Sequence, residues 1–191
     1  MRVVHGAAHR LEAVSVTREE ARRAFGKPEL YVEKFLEHPV TEMTSGIDIV
    51  REQIRIAQGH ALTVRQPEIR AVGHSLECRI NAEDPFTFAP CPGKVTAWEL
   101  PGGNGVRVDS HVSSGVVVPP YYDSLIAKVI THGATRDEAV VRMRLALAEM
   151  RVEGIHTNVP LHRAVLEDEG FCAGGVDIHH LERWLAKRKQ A

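Results

Sequence analysis

The chain has 191 residues, 43% of them hydrophobic, enough to bury one real core and a second small lobe without disulfides or metals. Its 24 basic and 25 acidic residues are spread along the whole length, and a formal net charge of -1 leaves no electrostatic footprint for nucleic acid or an anionic membrane. Three cysteines, Cys78, Cys91 and Cys172, show no CxxC spacing and point to a reducing compartment, with the cytoplasm as the default. No apolar run approaches the roughly 18 residues that signal a membrane span, and the start Met1-Arg2-Val3-Val4 lacks a signal-peptide core.

Thr17-Arg18-Glu19-Glu20 has capping-box spacing and predicts a short helix from about Arg18 to Phe25, stopped by Gly26 and Pro28. Leu30 to Leu36, with Tyr31, Val32 and Phe35, reads as a buried strand. From Ile47 the apolar residues Ile47, Val50, Ile54 and Ala57 recur at helical spacing, and Gly59 stands where a helix ends. Between Gly73 and Asn81 the period drops to two. His74, Leu76, Cys78 and Ile80 alternate with Ser75, Glu77, Arg79 and Asn81, so a half-buried strand presents Glu77, Arg79 and Asn81 on its polar side.

The Gly- and Pro-rich stretch from Pro85 to Pro120 carries short β-prone pieces at Val95–Leu100, Val106–Val108 and Val116–Val118, which read as a compact set of hairpins. A further strand at Leu125–Thr131 leads into a second capping box, Thr135-Arg136-Asp137-Glu138. The helix after it places Ala139, Met143, Ala146, Leu147 and Met150 on one face. Two short helices are expected beyond, one after Asn158 and one from about Ile178 to Lys187. The C-terminal two-thirds is therefore predicted to be α+β, mainly antiparallel sheet with flanking helices.

Several features with a chemical look have plainer readings. His179 and His180 are adjacent, so their side chains diverge, and none of the eleven histidines lies in an HExxH or Cys/His cluster. Pro101-Gly102-Gly103-Asn104-Gly105 precedes a β-prone run, not a helix, and reads as a hairpin turn rather than a phosphate loop. Cys78, on the apolar side of its strand, reads as a packed side chain. Tyr121 and Tyr122, after Pro119-Pro120, either line a site or mark a rigid approach to a strand. Arg79, beside Glu77 and Asn81, is either a surface ion pair or a fixed cation aimed at an anion; residue pattern alone favours the ion pair.

Longer blocks add a resemblance. Glu77-Cys78-Arg79-Ile80-Asn81-Ala82-Glu83-Asp84-Pro85 and Pro119-Pro120-Tyr121-Tyr122-Asp123-Ser124-Leu125-Ile126-Ala127-Lys128 resemble signatures of biotin carboxylase C-terminal domains. Gly154-Ile155-His156-Thr157-Asn158 resembles a block near the end of that family. His38-Pro39-Val40-Thr41-Glu42-Met43 and Glu52-Gln53-Ile54-Arg55-Ile56-Ala57 are similar to its final ATP-grasp segment, and Tyr31 to Glu37 to its adenine-binding hinge.

The resemblance implies a remnant of an ATP-grasp lobe with the hinge at 1–37, the last ATP-grasp helix segment at 38–70 and a biotin carboxylase C-terminal domain at 71–191. It places Glu33, Lys34 and Leu36 around the adenine of ATP, and Arg79 against biotin, where a guanidinium stabilises the enolate-like ureido oxygen. Arg107 matches an arginine of the family's homodimer contact, with Asn104 where an aromatic residue can occur. ATP, magnesium and biotin are implied as ligands, and a biotin carboxyl carrier protein and a carboxyltransferase as partners.

One departure matters as much as the match. In the family a long segment separates the hinge from the His-Pro-Val-Thr-Glu-Met block and carries the magnesium-binding glutamates and the asparagine and arginine of the bicarbonate site; here the two blocks are fused at Glu37. Glu37 is either the last hinge residue or the glutamate that would act as general base toward bicarbonate. The expectation is a fragment or internally deleted form of the enzyme, without its magnesium ligands, its glycine-rich loop or its N-terminal domain. A noncatalytic dimerisation module and a truncated gene product are the alternatives.

Overall fold

A computed structural model describes residues 38–188. Within them, Pro39–Gly46 and the chain from Arg70 onward form one compact unit, while His38 and Ile47–Ile69 belong to another.

The larger unit is built on strands β1 (His74–Asn81), β2 (Gly93–Lys94), β3 (Ala97–Glu99), β4 (Val106–Ser110), β5 (Val117–Val118), β6 (Leu125–Gly133) and β7 (Arg151–Glu153). Its helices are α1 (Pro39–Ser45), α3 (Arg136–Glu149), α4 (Val159–Leu166), α5 (Glu169–Ala173) and α6 (His180–Arg188); α2 (Ile49–Ala57) lies in the other unit. All strand pairing is antiparallel, in a three-stranded sheet of order β1-β6-β4 and two pairs, β2-β5 and β3-β7. The α+β architecture read from the sequence holds. The set of hairpins does not: none of β2 to β5 pairs with its neighbour in sequence. These strands are two to five residues long, too short to close on one another, and each draws its hydrogen bonds from a more distant segment. The Pro101–Gly105 turn, with Gly103 and Gly105 at positive φ, leads into β4 without forming a hairpin.

Strand β6, buried on both faces from Ile126 to Thr131, is the centre of the fold, and β1 pairs along it with period-two alternation. Cys78 and Ile80 on β1 and Ala127 and Val129 on β6 are buried, with Leu76, Val106 and Val108 packed beside them. Helix α3 covers this face with Ala139, Met143, Ala146 and Leu147, residues its spacing selects, and Met150 at its C-cap is buried with them. His74 departs from the alternation; it stands at the strand's first position and is exposed. Thr131, fully buried on the same face, donates its hydroxyl to the Ala139 carbonyl at 2.8 Å. Thr135 caps α3, its hydroxyl accepting the Glu138 N–H at 3.2 Å, and the Glu138 carboxylate reaches back to the Ala134 N–H at 3.0 Å. Helix α1 packs on the opposite face of β1 and β6.

In the other unit, α2 ends as Gly59 implies. The Gly59 N–H donates to the Ile56 carbonyl and the His60 N–H to the Arg55 carbonyl, both at 3.0 Å, with Gly59 at φ 88°. Its apolar positions are not a buried stripe: Ile54 and Ile56 are more than half exposed, whereas Glu52 is buried and accepts from the Thr63 N–H and hydroxyl. The helix at 18–25 and the strand at 30–36 lie outside the described residues.

Candidate functional site

The sheet face that turns away from α3 carries the polar residues of β1. Arg79 projects from it between buried Cys78 and Ile80, exposed and opposite Lys128 of β6. Two cations facing each other across a ladder repel. The fold answers this on one side only: Lys128, 5% exposed, has its ammonium 3.6 Å from the Glu77 carboxylate. Asn81, the third polar residue of the stripe, donates its amide to Glu83 at 3.1 Å, and the same Glu83 oxygen accepts from Ser124. Each near neighbour of Arg79 thus has another partner. Among the described residues its guanidinium makes no ion pair or hydrogen bond, which removes the surface ion pair that residue pattern alone favours.

The backbone under Arg79 is firmly held. The Arg79 carbonyl accepts the Asn158 side-chain amide at 3.1 Å and the His162 Nε2–H at 2.8 Å. One residue further on, between Ile80 and Asn81, the β1–β6 register shifts, with Ile126 of β6 as the extra residue. The result is a cation with an immobilised root and an unengaged head.

On the far strand, Arg107 donates to both oxygens of Asp109 at 2.8 and 2.7 Å and to Glu42 of α1 at 2.7 Å. These carboxylates raise its pKa further above its already high ordinary value, the Asp109 hydrogen bonds contributing most. Arg107 is therefore a permanently charged, pre-shaped group that still leaves a third of its side chain to solvent.

Cys78 is 6% exposed, and burial pushes its thiol up to about 12, with the Glu77 charge adding to the shift, so it packs rather than reacts. Tyr121 and Tyr122 are both exposed, on the approach to β6. His179 turns to Glu182 at 3.2 Å and His180 to Asp168 at 3.0 Å, diverging as their adjacency requires. Among the described residues no three His, Cys, Asp or Glu side chains are grouped as metal ligands. Glu33, Lys34, Leu36 and Glu37 lie outside the described residues. Sequence reading missed Asn158 and His162. Asn158 closes a block that resembles the family and His162 lies in the helix expected after it, but nothing local says that they reach Arg79, 79 and 83 residues away.

Comparison with known proteins identifies the family. The family model for the biotin carboxylase C-terminal domain matches residues 77–183, and that for the carbamoyl-phosphate synthase L chain ATP-binding domain matches 36–65. The chain belongs to the biotin carboxylase C-terminal domain family. It is 60% identical over 154 residues to the biotin carboxylase of Pseudomonas aeruginosa, covering 81% of this chain and 34% of that one. The biotin carboxylase of Haemophilus influenzae is 57% identical over 150 residues, 78% of this chain and 34% of the relative. Among solved structures, the biotin carboxylase domain dimer of Hydrogenobacter thermophilus 2-oxoglutarate carboxylase, in complex with MgADP, ADP and bicarbonate, superposes with a TM-score of 0.76 at 45% identity, over 82% of this chain and 35% of that one. The chain spans about a third of the length of the curated relatives it matches.

Proposed function

We propose that this chain is the biotin-side part of a biotin carboxylase, the ATP- and bicarbonate-dependent enzyme that carboxylates biotin on a carrier protein in the first half-reaction of acyl-CoA carboxylases. The observation that carries the reading is Arg79: it stands in the matched motif, its backbone is fixed, and its guanidinium is unengaged while Glu77, Lys128 and Asn81 all have partners. When biotin's ureido nitrogen loses its proton, negative charge collects on the ureido oxygen. A preorganised guanidinium stabilises that charge, an effect worth about 3 to 4 kcal/mol of barrier by analogy with oxyanion-hole donors.

In this reading 71–191 is the C-terminal domain and 38–70 the last ATP-grasp segment. Residues 1–37 are the hinge remnant, with Glu33, Lys34 and Leu36 at the adenine. Glu37 is the hinge glutamate or the base for bicarbonate. ATP and magnesium belong to the same reading, but the fusion at Glu37 leaves out the segment that carries the magnesium and bicarbonate residues in the family, so the chain does not turn over alone. Its setting is the cytoplasm and its partners are a biotin carboxyl carrier protein and a carboxyltransferase, in fatty acid synthesis or another acyl-CoA pathway.

One observation favours a second reading beside this one. Arg107, the match to the family's dimer-contact arginine, is held by Glu42 and Asp109 and remains partly exposed, so it has little entropy left to lose on docking. The chain would then serve as a homodimerisation module. Sedimentation of the wild type and Arg107→Ala over a concentration series tests this; association that weakens in the variant supports it, and a monomer at every concentration opposes it.

The biotin reading is tested by saturation-transfer NMR of free biotin with the purified chain. Transfer that disappears in a folded Arg79→Ala variant supports it, and transfer indifferent to Arg79 or absent from the wild type overturns it.

A further inference from the structure

We propose that Asn158 is a positioning residue for Arg79, acting as a one-residue substitute for a missing strand. In the order β1-β6-β4, β1 is an edge, and an edge strand leaves a row of backbone donors and acceptors without a ladder partner. Asn158, 7% exposed, meets three of them at the point where Arg79 projects. Its Oδ1 accepts the Asn81 N–H at 2.9 Å, its Nδ2 donates to the Arg79 carbonyl at 3.1 Å, and its own backbone N–H donates to the Asn81 carbonyl at 3.2 Å. A carboxamide has the donor and acceptor of a peptide group, so it occupies the place of a neighbouring strand's peptide. His162, one helical turn further on α4, adds its Nε2–H to the Arg79 carbonyl at 2.8 Å.

Two features make this a device for Arg79 rather than general support. The clamp brackets Ile80, at the shift in register of the β1–β6 ladder, so Asn158 holds β1 from its open edge at the point where regular pairing is interrupted. Among the described residues no side-chain partner holds the guanidinium, so its direction depends on the backbone beneath it. A group misplaced by about 1 Å forfeits much of its effect on a reacting atom. The inference rests on the reading that Arg79 faces biotin, but its structural half stands apart from that reading.

The test uses the full chain labelled with nitrogen-15. Relaxation at the Arg79 Nε–Hε, assigned with Arg79→Lys, and hydrogen exchange at the Asn81 amide are compared in wild type, Asn158→Ala and Asn158→Asp. Val129 in the sheet centre serves as internal reference, and urea midpoints record global stability. The Asp variant keeps the acceptor for Asn81 and loses the donor to Arg79. Expected are Asn81 exchange about tenfold faster relative to Val129 in Asn158→Ala, roughly what loss of a buried hydrogen bond permits. Increased mobility of Arg79 Nε is expected in both variants. If midpoints fall while Arg79 Nε keeps its wild-type relaxation, Asn158 is merely structural and the inference is overturned. If one variant does not fold, the other decides. Saturation transfer to free biotin separates the two failures: no wild-type transfer defeats the biotin reading alone, whereas transfer lost in Arg79→Ala but intact in Asn158→Ala defeats the positioning role alone.

Discussion

Arg107 and Glu42 are joined at 2.7 Å although 65 residues separate them in sequence, and their ion pair ties α1 to the far strand of the central sheet. Glu42 is buried at 8% exposure, so removing the guanidinium takes a charge-assisted hydrogen bond from a desolvated carboxylate. Arg107→Ala should lower stability by about 1 to 3 kcal/mol, read as a shift in the urea midpoint, and Arg107→Lys should recover only part of it because a lysine cannot fork to Glu42 and Asp109 together. An unchanged midpoint in the alanine variant would show that the pair contributes nothing.

Met143 is the centre of the α3 face that covers the sheet and is fully buried. Met143→Ala should cost about 2 to 5 kcal/mol, the usual range for emptying a large core side chain. Val141, half exposed on the same helix, should tolerate the same change within about 0.5 kcal/mol. Thermal or urea unfolding of both variants checks the contrast, and equal losses would misplace the core face.

Much of this was legible in advance, for physical reasons that can be assigned residue by residue. Alternation at His74–Asn81 gave β1 because one face is buried, and Thr135 with Glu138 gave the start of α3 because capping is local chemistry. The three residues of β7 and the five of α5 are too short for either period to register, and the partners of β2, β3 and β4 were hidden because long-range pairing leaves no local mark. Arg79 was recognisable by its motif. Its unpaired state was not, since Glu77 looks like its partner until β6 brings Lys128 alongside.

His162 donates to the Arg79 carbonyl from a site where burial holds its pKa below the ordinary 6.5, against the smaller opposing effect of that hydrogen bond. A base whose folded pKa is depressed binds its proton more readily when unfolded. Its contribution is therefore complete above the unfolded pKa and is lost as pH falls through the folded one. Urea midpoints measured from about pH 7 to about pH 5 should decline, and the decline should be shallower in His162→Phe. Identical slopes would place the titration elsewhere.

The three thiols should separate by reactivity. Cys78, buried and with its thiol pushed up to about 12, should resist iodoacetamide in the native chain at neutral pH, while the half-buried Cys91 and Cys172 are modified first. Mass spectrometry of peptides after timed alkylation reads the order directly, and early labelling of Cys78 would contradict its place in the core.

The most direct test of the whole account is phosphate release from ATP by the purified, folded chain, with magnesium present and with bicarbonate and free biotin each supplied or omitted. A biotin-side part that lacks the magnesium and bicarbonate segment predicts no release above background in any combination. Release that requires both bicarbonate and biotin, and falls in Arg79→Ala, would contradict it and show that the chain carries a complete reaction centre despite the fusion at Glu37.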